Sequence, residues 1–532
     1  MNGHGKDVNV EGETPNAREE VMNSGIPVSW DLETDVLVVG FGGAGSVAAI
    51  KAKDAGSEVI IIEKQPSSTH TPSTMMCGGG CQLANDAEGA AKYFKAVAFG
   101  IGLPKGYGDP VTVYPRYPSN LIEEITHVWS HEILRTGEYL RSLGVTFKEM
   151  MPSASFTGFP GHENCGLLTV EGHGIALFRA LSEAVYHHGI EIKWETRGKR
   201  LLVNSGGEVI GLVAQQRHES VTIKARKAVI LATGGFQHNQ ELKKAFLPGW
   251  GWSFIGNPGN TGDGLVMAMG VGAALGHMYH CAARVVAGGV IADEIGTAFN
   301  CRINEPGKML VDNYGLRYCN EELASKDPDR YHFYEKVIIY DTSKYEFPRI
   351  PSWFIFDEQV RKKGPAVSTW YGAHAVGIYE WSQDNSVEIE KGWILKGNTI
   401  EELANKISNH LDNKGRMKPA TLVNTVRRFN SCCGNGLDVD FGRRSESLGV
   451  LMTPPYYAIA EYPGGPNTEG GPIKNAKSQI INVFGDRIPR LYAAGEVASF
   501  WSFLYQIGGN IAECIISGTA AGKNAAAEEP WT

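Results

Sequence analysis

The chain has 532 residues, 42% of them hydrophobic and 20% charged, with a net charge of -8. That length exceeds one ordinary core, so two or more domains are expected. The mild acidity and lack of basic runs argue against nucleic acid or an anionic membrane as partner, and no stretch of about 18 apolar residues offers a membrane span.

Glycine is unusually frequent, at 65 residues, which suits tight loops against a bound cofactor. The nine cysteines are odd in number and mostly in apolar contexts, as expected of reduced thiols in a cytoplasmic protein. Cys77 and Cys81 flank GGG, and Cys432 and Cys433 are adjacent. Neither spacing makes a matched pair of ligand pairs, so no metal site is expected.

Residues 1–30 read as a flexible leader, polar and mixed in charge, without the apolar region of a secretory signal. Val36–Val39 then reads as a buried parallel strand. It closes on G-x-G-x-x-G at Gly40, Gly42 and Gly45, followed by a helix over Ser46–Ala55 and a second strand, Val59–Ile62, ending in Glu63. Strand, turn, helix, strand and acid at this spacing form a dinucleotide-binding signature. Gly40 allows the tight turn, Gly42 lets the backbone approach a pyrophosphate, and Gly45 lets helix and strand pack closely. Gly43 and Ala44 sit between them, where the helix N-terminus offers N–H groups to phosphate. Glu63 is suited to accept ribose hydroxyls, with Lys64 beside it.

The loop after Lys64 is rich in small residues and could lie along the cofactor, with hydroxyls from Ser73 and Thr74 and close approach at Gly79 and Gly80. Helices are expected over Leu121–Leu143 and Gly174–Val185 from apolar periodicity. Ile190–Val203 and Val209–Val213 read as a hairpin turning at Gly206-Gly207. A buried strand, Ala228–Ala232, leads into Thr233-Gly234-Gly235, where Ala232, Thr233 and Gly234 pass under the cofactor again. Asn260 and Asp263 precede a helix over Leu265–Met269, with Asp263 at or near its N-cap. From about His277 to Leu448 aromatics, charges and prolines alternate, which reads as an inserted domain containing helices Ile400–His410 and Pro419–Cys432. The chain returns with a strand ending in Ala-Ala-Gly495-Glu496. A helix follows whose start, Gly508, Asn510 and Ile511, faces a polar edge of the cofactor. The expected division is therefore 31–276 and 449–532 for one discontinuous domain, with 277–448 inserted.

The segments VVGFGGAGSVAA…IIEK, AVILATGGF, NTGDGLVMA, GKMLVDNYGLRYCNE, FIFDEQVR, LYAAGEV and IGGNIAECIISGTAAG together resemble the fumarate reductase / 3-ketosteroid dehydrogenase flavoprotein family. They span residues 35 to 525 in the family's order. The resemblance implies FAD and an α/β fold: a Rossmann-like FAD-binding domain, with a parallel sheet and antiparallel additions, and an inserted α+β capping domain. It also implies redox chemistry across a carbon–carbon bond next to an electron-withdrawing group. Some flavoproteins attach their flavin through a histidine in the loop that carries His70; the expectation here is a solvent-side loop histidine.

The fumarate-type branch carries His and Arg before its C-terminal GGN, to clamp carboxylates. Here those positions are Ser502 and Gln506, amid Phe500, Trp501, Phe503 and Leu504. An apolar stretch of this kind suits a small hydrophobic ketone, and part of it is expected to pack the interdomain core. Tyr505 and Gly509 match the Y-x-x-x-G of ketosteroid dehydrogenases, where a tyrosine hydroxyl and a glycine N–H hold the ketone oxygen. The likeness therefore implies dehydrogenation, or the reverse reduction, of the bond α,β to a ring ketone in a 3-ketosteroid or smaller cyclic ketone. Flavin N5 takes the hydride and a tyrosine takes the proton. Tyr331 is the candidate base, Tyr334 the fallback, and His332 a group that could tune either. Arg361 falls where the fumarate-type branch places its proton-donating arginine. It keeps open a reductase of unsaturated organic acids, as an electron-transfer flavoprotein subunit also stays open. Electrons must pass through an external carrier, since no haem motif or cysteine cluster is present.

Overall fold

Val36 and Val38 point to one face of a sheet and Leu37 and Val39 to the other, as the period of a strand requires. Both faces are buried, so this strand reads as a continuous apolar run. The computed structural model describes residues 26–27, 29–104, 117–151, 155–302, 305–324, 329–369 and 377–531, so the expected leader lies almost wholly outside the described residues.

Leu32–Val39 is central in a parallel row whose order is Arg487–Ala493, Glu219–Leu231, Leu32–Val39, Val59–Ile62, Glu191–Lys193. Thr196–Val203 and Val209–Gln216 add an antiparallel extension to Glu219–Leu231, and Gln479–Ile481 closes the other edge. Ile190–Val203, expected as one strand, is two. Glu195 takes a φ of 53° between them, and the chain leaves the parallel row for the antiparallel one. The strand expected at Ala228–Ala232 is longer, Glu219–Leu231, because its first half pairs with Val209–Gln216.

Helices Gly43–Asp54 and Gly509–Ala526 pack against each other over one face of this sheet. Small residues permit the approach: a Cβ on Gly522 would stand 2.3 Å from the Ala48 carbonyl oxygen. The expected helices at 121–143 and 174–185 are present as Ser119–Ser142 and His173–His187. The loop expected after Lys64 contains a short helix, Ser73–Met76, and a strand, Gly80–Ala84. The strand joins Cys165–Val170 and Phe147–Met151 in a small antiparallel sheet. Its pairing partner is distant in sequence, so a glycine-rich stretch gave no local sign of it.

A second sheet, wholly antiparallel, has the order Cys281–Ala287, Tyr456–Thr468, Ser352–Asp357, Lys308–Val311, with Ile394–Gly397 also on Tyr456–Thr468. Tyr456–Thr468, its central strand, lies beyond the expected boundary at Leu448, because its partners are far upstream and nothing local marks the junction. A buried ion network stiffens this layer. Arg317 binds Glu321 through two bonds of 2.9 Å and Asp438 at 2.9 and 3.2 Å, and Arg443 reaches Glu321 at 3.3 Å. Among the described residues no helix is long and apolar enough to cross a membrane.

Candidate active site

The first glycine turn is shaped by exclusion. Gly40 has a φ of 108°, and a Cβ there would lie 2.4 Å from the Ala232 carbonyl oxygen. A Cβ on Gly45 would lie 2.0 Å from the Gly40 carbonyl oxygen. Gly42 differs: the nearest atom to its would-be Cβ is 4.0 Å away, on Pro72, and the space in front of it is cavity. The Glu63 carboxylate is held in place by two backbone donors, the N–H of Phe41 at 2.9 Å and of Gln65 at 2.8 Å. The Gly43 N–H donates to Thr74 Oγ1 at 3.0 Å, tying the loop after Lys64 to the start of the helix.

Gly40, Gly42, Gly43, Glu63 and Thr74 line one cavity of about 700 Å³, at the carboxyl ends of the parallel strands, that also reaches Tyr331 and Tyr505. Gly40, Gly42, Gly43, Ala44, Glu63, Lys64, Ser73, Thr74, Gly79, Gly80, Ala232, Thr233, Gly234, Asn260, Asp263, Glu496, Gly508, Asn510 and Ile511 all face it. Gly45 and Gly495 stand behind the wall, where a Cβ on Gly495 would meet the Ala44 Cβ at 2.8 Å. Lys64 Nζ donates to Thr261 Oγ1 at 2.8 Å and Asp263 Oδ2 at 2.9 Å, and Arg197 grips Asp263 at 3.0 and 2.6 Å. Asp263 is the first residue of helix Asp263–Gly270 and does not cap it; Gly262 holds that position.

His70 departs from expectation. It is not on the solvent side: its ring stacks on Phe41 at 5.3 Å, meets Trp194 and Phe178 edge-on at 5.1 and 5.4 Å, and lies 3.7 Å from Glu63. Apolar neighbours force the imidazole inward, and burial lowers its pKa, against the opposing pull of Glu63.

At the other side of the cavity Tyr331 and Tyr505 meet edge to face, with ring centroids 5.0 Å apart. Two arginines flank the Tyr331 ring, Arg330 at 4.5 Å and Arg284 at 5.6 Å from its centroid, and both line the cavity. No motif pointed to either; Arg284 sits in strand Cys281–Ala287, whose closeness to Tyr331 follows from tertiary packing alone. Burial pushes the Tyr505 hydroxyl well above the usual tyrosine range, with Tyr331 and Glu469 adding to the effect and a backbone hydrogen bond from Asn510 opposing it.

Three candidates stand elsewhere. The Gly509 N–H donates to the Gln506 carbonyl at 2.9 Å, and Gly509 packs under Trp501 rather than on the cavity; its neighbours Gly508 and Asn510 face it. Tyr334 is buried against Trp252, 5.4 Å between rings, because the turn after Tyr331 directs it into another core. Arg361 lies off the cavity, bound twice to Glu358 at 2.7 Å and once to the Asp384 carbonyl at 2.8 Å. The aromatic stretch before Tyr505 also turns inward. Phe500 and Trp501 pack on Phe94 and Trp129, Ser502 donates to the Ala98 carbonyl at 2.9 Å, and Gln506 bonds Tyr93 and the Ser155 N–H. Of that stretch only Tyr505 reaches the cavity.

Beneath Asn510 lies a buried carboxyl pair. Ser499 Oγ is 2.7 Å from Glu469 Oε2 and 2.9 Å from Glu513 Oε2, and Lys474 meets Glu513 at 2.9 Å. Ser499 has one hydroxyl proton to donate, so it serves one of the two carboxyls at a time. Burial raises both carboxyls. Glu496 is pushed up to about 8, by burial first.

The donor set fits FAD. A shelf is open at Gly42, a fixed carboxylate waits at Glu63, and Asn510 Oδ1 is buried on the cavity wall with no partner among the described residues. Residues 35–511 match the family described as an FAD binding domain. The chain belongs to this FAD-binding family. It is 29% identical over 503 residues to the fumarate reductase (cytochrome) of Shewanella frigidimarina, covering 92% of this chain and 77% of that one. It is 26% identical over 534 residues to the 4-oxocyclohexanecarboxylate 2-dehydrogenase of Sinomonas cyclohexanicum, covering 87% of each. Among solved structures, the 3-ketosteroid Δ1-dehydrogenase of Sterolibacterium denitrificans, in complex with 1,4-androstadiene-3,17-dione, aligns with a TM-score of 0.73 at 19% identity, over 93% of this chain and 99% of that one. The FAD-binding family thus accounts for the cofactor and the fold, and the chain is an FAD-dependent oxidoreductase.

Proposed function

We propose that this oxidoreductase adds or removes two hydrogens across the bond α,β to a ring ketone, in a 3-ketosteroid or a smaller alicyclic ketone. The observation that carries the reading is the Tyr331–Tyr505 pair on the wall of the cofactor cavity. Bound FAD supplies the hydride acceptor or donor. The chain's own residues do the rest. The Tyr505 hydroxyl holds the ketone oxygen, where negative charge develops as the α-proton leaves. Tyr331 takes or gives that proton. Gly40–Ala44, Glu63, Ser73, Thr74 and Glu496 hold the cofactor. The discontinuous division of the chain into a cofactor domain and an inserted cap, and an external electron carrier, belong to the same reading.

The test is anaerobic turnover of the purified flavoprotein with an artificial electron acceptor, offering cyclohexanone-type ketones and 3-ketosteroids side by side. Turnover of either class is expected; the absence of both, with flavin bound, sinks the reading.

One observation favours a second reading, reduction of an unsaturated carboxylic acid. Arg284 and Arg330 bring two positive charges to the cavity beside Tyr331. Turnover of cinnamate-like acids with none of any ketone would select it.

A further inference from the structure

Tyr505 lies in irregular chain, outside any helix or strand, so its backbone N–H has no ladder partner. A buried N–H of this kind must be met by a side chain or lose stability. The acceptor is His332 Nε2, at 3.0 Å. His332 is also the chain neighbour of Tyr331, whose ring meets that of Tyr505. One imidazole therefore touches both segments of the tyrosine pair.

We propose that His332 is a positioning residue: by accepting the Tyr505 N–H it ties the segment carrying Tyr331 to the segment carrying Tyr505 and sets the geometry of the pair. The roles of the two tyrosines rest on the ring-ketone reading; the tie itself does not.

The tautomer follows from the bond. Nε2 accepts, so the ring proton is on Nδ1. Nitrogen or oxygen atoms of His280, His332 and Glu335 lie within 4.8 Å of one another, a spacing that also suits a metal ion. With Nε2 engaged and Nδ1 protonated, His332 has no lone pair left for a metal. Burial, with His280 adding to it, pushes the His332 pKa down to about 3, so the ring keeps its accepting lone pair throughout the ordinary pH range.

The test compares His332→Phe, which removes the acceptor, with His332→Gln, whose amide oxygen reaches the same place. Both are made in the full-length holoprotein. Backbone hydrogen exchange is followed in the peptide containing Tyr505, and kcat and KM are measured on a ketone that the wild type turns over. In H332F, exchange in that peptide rises about tenfold and kcat falls about tenfold, the scale of one lost buried hydrogen bond, while KM and exchange elsewhere stay close to wild type. H332Q restores both. Unchanged exchange in H332F, unchanged kcat despite faster exchange, or H332Q as defective as H332F would each overturn the proposal. If the wild type turns over no ketone, the ring-ketone reading fails, and the exchange comparison still decides whether His332 holds Tyr505.

Discussion

The ring of Tyr331 stands nearly perpendicular to that of Tyr505, at 84° between planes and 5.0 Å between centroids. One comes from the short turn Asp329–Tyr331 and the other from the approach to the last helix. A substrate oxygen held by one hydroxyl therefore lies within a side chain's reach of the other. Tyr505→Phe removes a preorganised donor and is expected to lower kcat about a hundredfold, roughly 3 kcal/mol of barrier, with flavin content unchanged. Tyr331→Phe is expected to do as much, and Tyr334→Phe to leave turnover within about twofold, since Tyr334 packs against Trp252. Flavin absorbance and steady-state rates check all three; full activity in Y505F would remove the oxygen-holding role.

The glycines of the first turn separate folding from cofactor binding. Gly45→Ala puts a methyl 2.0 Å from a backbone oxygen, and nothing nearby is a flexible side-chain end. Misfolded or insoluble protein is expected. Gly42→Ala points its methyl into open cavity. It should fold with wild-type circular dichroism and lose FAD affinity by more than about tenfold. Equal FAD affinity in G42A would mean the pyrophosphate does not approach there.

The fold was legible where one segment carries its own signal. The strand–turn–helix–strand unit from Leu32 to Ile62 and the helix that begins at Gly509 are as the residue pattern predicts. Motifs named residues that line the cavity, as at Gly42, Glu63 and Tyr505. The site was not legible where distant segments meet. Arg284 comes to Tyr331 because strand Cys281–Ala287 packs on the turn Asp329–Tyr331, the Gly509 N–H is spent on a turn, and Glu469, Ser499 and Glu513 make one polar cluster from three separate segments. Composition left Phe500 and Trp501 open between core and pocket, because an apolar run looks alike in both, and packing on Phe94 and Trp129 puts them in the core.

His70 is held among Phe41, Phe178 and Trp194 and beside Glu63, the acid suited to a ribose. With the ribose at Glu63 as proposed, His70 stands beside the nucleotide and not beside the flavin ring. Flavin is therefore expected in the supernatant after acid precipitation. Yellow pellet that loses its colour in His70→Ala would show a covalent link instead.

Arg361 is engaged by Glu358, and its side chain is one-fifth exposed. A partly exposed pair of this kind is worth about 1 kcal/mol or less. Arg361→Ala should leave turnover within about twofold of wild type on any substrate. A loss beyond a hundredfold, with KM unchanged, would restore this arginine as the proton donor and with it the acid-reductase reading.

Stability should be limited on both sides of neutrality by different buried groups. Burial pushes His238, His277 and His332 down to about 3, so the folded chain keeps them neutral while the unfolded chain protonates below its value of 6.5. The unfolded state then binds more protons, and stability falls as pH drops from 6.5 towards 3. Burial pushes Glu461 up to about 7, against Cys301 and Arg284, from an unfolded value of 4.5. Here the folded state binds the extra proton. This contribution is complete below 4.5 and is lost as pH rises through 7. Denaturant unfolding of the holoprotein across pH should therefore pass through a maximum in the mildly acidic range, about 5 to 7. Glu461→Gln, which stays neutral at every pH, should flatten the fall between 5 and 8 and leave the acid limb in place. An unchanged alkaline slope in E461Q would show that the carboxyl is ionised in the folded chain, paired to Arg284 rather than protonated.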